Sequence, residues 1–94
     1  DTDAVEVCAK IGKNGATPIP VTGVITDHMK EYISQVKAYE RHAVKAAIYG
    51  DKEEAMRALV INPLVGDLKT ASACFDEMLE AHKDYLPQFF KEEK

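Results

Sequence analysis

Between Thr26 and Pro63 the side chains follow a spacing that leaves the backbone little choice. Met29, Tyr32, Ile33, Val36, Tyr39, Ala43, Val44, Ala47 and Ile48 recur at steps of three and four, which sets them on one broad stripe of an α-helix. Thr26 or Asp27 caps this helix, predicted over about 26–49 and some 35 Å long by the helical rise. Gly50 follows as a left-handed C-cap, where the lack of a Cβ minimises strain, and Asp51 caps the next helix at once. Glu54, three residues on, completes a capping box. The second helix, about 52–61, turns Ala55, Met56, Leu59 and Val60 inward and sets Glu53 against Arg57 outside. Asn62-Pro63 stops it, because a residue before proline is pushed out of the helical region.

A third helix, capped by Asp67 and predicted over about 68–84, carries Leu68, Ala71, Phe75, Met78, Leu79 and His82 on one face. Leu86-Pro87 ends it, Phe89-Phe90 offers a last apolar contact, and Lys91-Glu92-Glu93-Lys94 reads as a solvated tail.

Ahead of the helices the period changes to two. Val5, Val7, Ala9 and Ile11 fall on one face and Glu6, Cys8 and Lys10 on the other, as in a half-buried strand over Ala4 to Ile11. Asn14-Gly15 predicts a type I′ turn and Thr17 to Val21 the return strand, so the hairpin covers about 4–21. Pro18 and Pro20, two apart, remove N–H donors from the same side of that return strand, which makes this side a sheet edge. The first strand keeps an open edge, and a lone hairpin is marginal in water, so either strands from elsewhere join it or the helices hold it down, and strands from elsewhere are expected.

The fold class is therefore α+β and mainly helical: an N-terminal β-hairpin followed by three helices in one unit of residues 1–94. With 94 residues the chain has one core, and 46% apolar with 30% charged residues describes an ordinary globular composition. The net charge of −4, with Lys and Arg interleaved among Asp and Glu, argues against nucleic acid as a partner. No apolar run approaches the roughly 20 residues of a membrane helix, and no secretory leader opens the chain, so a cytoplasmic protein is expected. The first residue is Asp1, and the overlong helix and open strand edge suggest a missing partner surface; a piece of a larger protein is expected.

No constellation of catalytic residues stands out. His28 and His42 lie about 21 Å apart along one helix, too far to share an ion, and His82 is on another. Cys8 and Cys74 are expected as buried, reduced thiols, since neither belongs to a Cys-x-x-Cys pair. Tyr39-Glu40-Arg41-His42 places neighbours on different sides of a helix, and Glu53-Glu54 suits the positive N-terminus of one. There is no glycine-rich phosphate loop and no nucleophile elbow. Catalytic, cofactor-binding and metal-binding residues are accordingly expected to be none.

In order and spacing, Val5-Glu6-Val7, Asn14-Gly15, Gln35-Val36-Lys37-Ala38-Tyr39-Glu40, Val44-Lys45-Ala46-Ala47 with Gly50-Asp51, Ala58 to Val65, and Leu79-Glu80-Ala81-His82-Lys83 resemble the C-terminal end of glycoside hydrolase family 4. The likeness is greatest to its 6-phospho-β-glucosidases, although the family often has Pro where Cys8 stands. The resemblance implies a piece of a lactate/malate dehydrogenase C-terminal-like domain. It implies a parent enzyme that uses NAD and a divalent metal, usually manganese. Sugar oxidation, elimination and water addition replace two-carboxylate hydrolysis in that family. The family's glycines, metal Cys and His, and catalytic Asp and Tyr lie upstream of the matching region, and Cys8 does not match its metal-cysteine motif. This chain is then expected to bind no cofactor and to be inactive alone, a structural and oligomerisation part whose partners are the rest of its parent and a second subunit. The alternative is a free-standing helical interaction domain that dimerises through Tyr32, Val36 and Tyr39.

Overall fold

The computed structural model describes residues 3–91. Strands β1 (Ala9–Gly12) and β2 (Gly15–Pro18) form an antiparallel hairpin, followed by α1 (Asp27–Tyr49), α2 (Lys52–Ile61) and α3 (Leu68–Ala81). Two single-turn 3₁₀ helices, Lys83–Tyr85 and Pro87–Phe89, return the chain to the α1–α2 corner. Glu92 to Lys94, the end of the expected tail, lie outside the described residues.

The helix ends follow their capping chemistry. Thr26 Oγ1 accepts from Met29 N–H at 3.3 Å, Asp51 Oδ1 from Glu53 and Glu54 N–H at 2.9 and 3.1 Å, and Asp67 Oδ1 from Thr70 N–H at 2.8 Å. Gly50 is left-handed at φ 67° and donates to Ala46 C=O at 2.8 Å. The capping box at Asp51 is half formed, because the Glu54 carboxylate turns toward His42 and Arg57. Asn62 stops α2 in an extended conformation, and its Oδ1 accepts from Leu64 N–H at 2.9 Å.

α1 and α2 pack as an antiparallel helical hairpin, with α3 on α2. Among the described residues the buried side chains are mostly small: Ala46, Ala58 and Ala71, with Leu79. Periodicity had favoured Ala55, Met56, Leu59 and Val60 on α2; Ala58 is the deepest of that helix and Val60 is exposed. Two backbones in contact leave room for a methyl group and push larger side chains to the flanks. On those flanks Phe75 and Phe89 meet edge to face, centroids 6.3 Å apart.

Several sequence expectations change in extent. α3 ends at Ala81, three residues before Asp84, because the chain tightens to i→i+3 bonds: Tyr85 N–H to His82 C=O at 2.9 Å and Leu86 N–H to Lys83 C=O at 3.1 Å. The turn of the β-hairpin is Lys13-Asn14, not Asn14-Gly15, since Gly12 pairs with Gly15. Lys13 and Asn14 keep negative φ and Gly15 alone is left-handed at 98°, the pattern of a type I turn closed by a glycine bulge rather than a type I′ turn. The ladder is shorter than the alternating stretch, ending with Ile19 N–H on Cys8 C=O at 2.8 Å, and Val21 lies beyond it. The expected half-buried face is bare: every residue of β1 and β2 is exposed, Ile11 to 75%.

This architecture leaves surface uncovered. The Cα radius of gyration is 17.5 Å, against about 12 Å for a compact domain of this length. The accessible surface is 8074 Å², where a compact monomer of similar mass shows roughly 5,400 Å².

Candidate functional site

The most organised polar cluster joins the first two helices. His42 Nδ1 lies 2.5 Å from Glu54 Oε2, and Arg57 donates to Glu54 Oε1 at 2.7 Å and to Glu53 Oε2 at 3.4 Å. Only 12% of the Glu54 side chain is exposed. The hydrogen bond with His42 first, and then that with Arg57, hold its carboxyl below the usual glutamate range against the opposing effect of burial. Glu54 raises the Arg57 guanidinium in return. Both carboxylate oxygens are thus engaged by side chains of the protein itself. The cluster is a staple between helices, and it offers a substrate no free oxygen for acid–base work.

A local reading misses this pair because the two residues are on different helices. A helical hairpin around Gly50-Asp51 does contain the signal. Positions equally far on either side of Ile48 face each other, His42 with Glu54 and Gln35 with Ile61.

The other expected residues scatter. His28 stands in the first turn of α1 and His82 at the end of α3, where it lines a shallow apolar groove with Phe75, Met78, Leu86 and Phe89. Cys8 and Cys74 are free thiols, and both are exposed, not buried. Cys8 sits on the uncovered hairpin, and Cys74 on the outer side of α3, its Sγ 3.4 Å from Met78 Sδ. Among the described residues no three His, Cys, Asp or Glu side chains converge as metal ligands. Residues 3–91 therefore supply no donor set that fits the divalent metal of the resembled family. No described helix is long and apolar enough to cross a membrane.

What the molecule presents instead is contact surface. α2 has ten residues against the twenty-three of α1, so its cover ends where Gln35 Nε2 donates to Ile61 C=O at 2.8 Å. Beyond that point Met29, Tyr32 and Ile33 are about half exposed on the N-terminal turns of α1. Toward the C-terminal end, Val44, Ile48 and Tyr49 are exposed on another side. The expected stripe is real as a periodicity, but only its middle is covered: Val36, Tyr39 and Ala43 are half-buried. Nearby, Lys37 Nζ donates to Ala4 C=O at 2.5 Å and Arg41 NH1 to Asp3 Oδ2 at 2.7 Å, which ties the segment before β1 to α1.

Comparison with known proteins shows the family. Residues 1–65 match the family 4 glycosyl hydrolase C-terminal domain. A probable 6-phospho-beta-glucosidase of Bacillus subtilis (strain 168) is 47% identical over 90 residues, which is 96% of this chain and 20% of that protein. The 6-phospho-beta-glucosidase of Escherichia coli (strain K12) is 36% identical over 86 residues, 92% of this chain and 19% of that protein. A phospho-alpha-glucosidase of Clostridium acetobutylicum is 35% identical over 81 residues, 86% of this chain and 18% of that protein. The chain spans about a fifth of the length of the relatives it matches. It belongs to glycosyl hydrolase family 4, as part of that family's C-terminal domain.

Proposed function

We propose that this chain is the C-terminal region of a 6-phospho-β-glucosidase that hydrolyses phosphorylated disaccharides. The observation that carries this reading is the 47% identity with a protein named as a probable 6-phospho-beta-glucosidase, over nearly the full chain. Family membership further supports an NAD- and divalent-metal-dependent route of oxidation, elimination and water addition, with manganese as the metal. The donor set of residues 3–91 does not fit that metal, so the groups that hold it and the dinucleotide are assigned to the rest of the parent. On this reading the region 1–94 is one part of a lactate/malate dehydrogenase C-terminal-like domain and is inactive alone. Its role is structural: the His42–Glu54–Arg57 staple keeps the helical pair rigid, and the uncovered side chains Met29, Tyr32 and Ile33 face the rest of the parent or a second subunit of a homo-oligomer. A phosphorylated sugar does not cross a bilayer, so the reading places the enzyme in the cytoplasm.

The test is hydrolysis of 6-phosphoglucosides of both anomeric series by the full-length protein, with and without added NAD and Mn²⁺. Turnover of the β-series that needs both additions is the expected result. Turnover confined to the α-series overturns the anomeric assignment, and none in either series overturns the function.

A further inference from the structure

Residues 3–25 meet the helices through two side chains. Lys37 and Arg41, one turn apart on α1, reach the segment before β1: Lys37 Nζ donates to Ala4 C=O at 2.5 Å, and Arg41 NH1 to Asp3 Oδ2 at 2.7 Å. Glu40 Oε2 accepts from the same Lys37 Nζ at 2.8 Å and so keeps the ammonium in place. Among the described residues no other hydrogen bond joins residues 3–25 to a helix. The strands add no burial of their own, since every residue of β1 and β2 is exposed.

The second route from the hairpin to the helices is the chain itself. Residues 19–25 run from β2 to α1 with Val21 and Val24 exposed, and Gly23 takes φ 119° with open space where a Cβ would stand. Glycine adopts that conformation without strain and has the widest backbone freedom, which makes position 23 a joint. The hairpin thus stands on two legs. One runs from residue 8 down to Lys37 and Arg41, the other from residue 19 down to Thr26 at the start of α1, and the feet lie about 15 Å apart by the helical rise.

We propose that Lys37 and Arg41 form a charge-held latch that fixes the hairpin to α1, and that opening the latch leaves the hairpin free to swing about Gly23 and to lose its strand pairing. A two-stranded hairpin is marginal alone, and tethering both legs to one helix removes chain freedom that its open end would otherwise regain. That end is the bond from Ile19 N–H to Cys8 C=O at 2.8 Å. Contacts between partly exposed charges weaken with salt, so the latch makes the order of the hairpin depend on ionic strength.

Hydrogen exchange followed by mass spectrometry in the full-length protein tests the proposal, with residues 8–19 as reporter and residues 42–49 of α1 as internal control. Lys37→Gln combined with Arg41→Gln is expected to speed exchange over 8–19 by about 3- to 30-fold and to change 42–49 by less than about 2-fold. Lys83→Gln, which removes an exposed ion pair with Glu80 on α3, is expected to leave both segments unchanged. Raising NaCl from about 50 mM to about 1 M is expected to speed exchange over 8–19 in the unaltered protein and to add nothing in the double variant. A change of less than about 2-fold over 8–19 in the double variant overturns the proposal, and so does an equal rise over 42–49, which is general unfolding. Charge reversal gives an independent readout. Asp3→Arg alone is expected to open the latch, and Asp3→Arg with Arg41→Asp to restore protection to within about 2-fold. A reversed pair no better than the single variant means that Asp3 and Arg41 hold nothing, and the latch falls.

Discussion

The side-chain amide of Gln35 closes the open end of another helix: its Nε2 donates to the carbonyl oxygen of Ile61, the last residue of α2, at 2.8 Å. Helix C-termini leave four carbonyls without an intrahelical donor, and here one is satisfied from α1. Gln35→Ala is expected to cost about 0.5–1.5 kcal/mol, the usual net worth of such a bond, in denaturant unfolding of the intact protein. Gln35→Glu, which places an acceptor against an acceptor, is expected to cost more. If Glu proves as good as Gln, the bond does not hold the helices.

Acid should weaken the helical hairpin in a defined direction. Glu54 and Asp67 both have carboxyls held below their ordinary ranges, Glu54 chiefly by His42 and Asp67 by the side-chain and backbone hydrogen bonds of Thr70. A carboxyl depressed in the folded state binds its proton more weakly there than in the unfolded chain. Its stabilisation is complete above the unfolded values, about 4.3 for Glu and 3.9 for Asp, and is lost as pH falls through the folded ones. Stability measured from pH 6 to 3 is therefore expected to drop below about pH 4.5, and less steeply in a Glu54→Gln, Asp67→Asn double variant. An unchanged slope in that variant assigns the acid limb to other carboxyls.

Gly50 is constrained twice. Its φ of 67° disfavours any side chain, and a Cβ there would overlap the Gln88 carbonyl oxygen in the returning 3₁₀ segment. Gly50→Ala is expected to destabilise by more than about 2 kcal/mol, beyond the 1 kcal/mol or so of left-handed strain alone. Thermal melts of that variant with the chain ended after Leu86 separate the parts, since only the strain remains.

Among the described residues Leu79 is the one large side chain in the buried core, 8% exposed, and Leu64 is 92% exposed. Leu79→Ala is expected to cost about 2–5 kcal/mol. Leu64→Ala should fall within about 0.5 kcal/mol if nothing covers it in the intact protein. A loss of several kcal/mol at Leu64 would place it in an interface.

Much of the fold is legible without coordinates because its signals are local. Thr26, Gly50-Asp51, Asn62-Pro63 and Asp67 set the helix ends through their own backbone preferences and one or two side-chain bonds. The β-hairpin is legible as a hairpin but not in its strand extents or turn, because Asn14 and Gly15 both tolerate positive φ and only the register of Gly12 with Gly15 decides which does. Burial was not legible in the same way. Alternation in Val5, Val7 and Ile11 predicts a covered face, and residues 3–91 leave all three exposed.

The sequence by itself determined both ends of α1 and α2 and the start of α3, and, through its likeness to relatives, its family. Tertiary structure decided which residues meet: His42 with Glu54, Gln35 with Ile61, Gln88 with the carbonyl of Ala47 at 3.0 Å. It also decided that alanines, more than the larger apolar residues, are the most deeply buried. The physical reason is one of range. Caps and turns act over three or four residues, so each is complete within the sequence that encodes it. Packing depends on the separation and crossing of two helices, a quantity that belongs to neither alone.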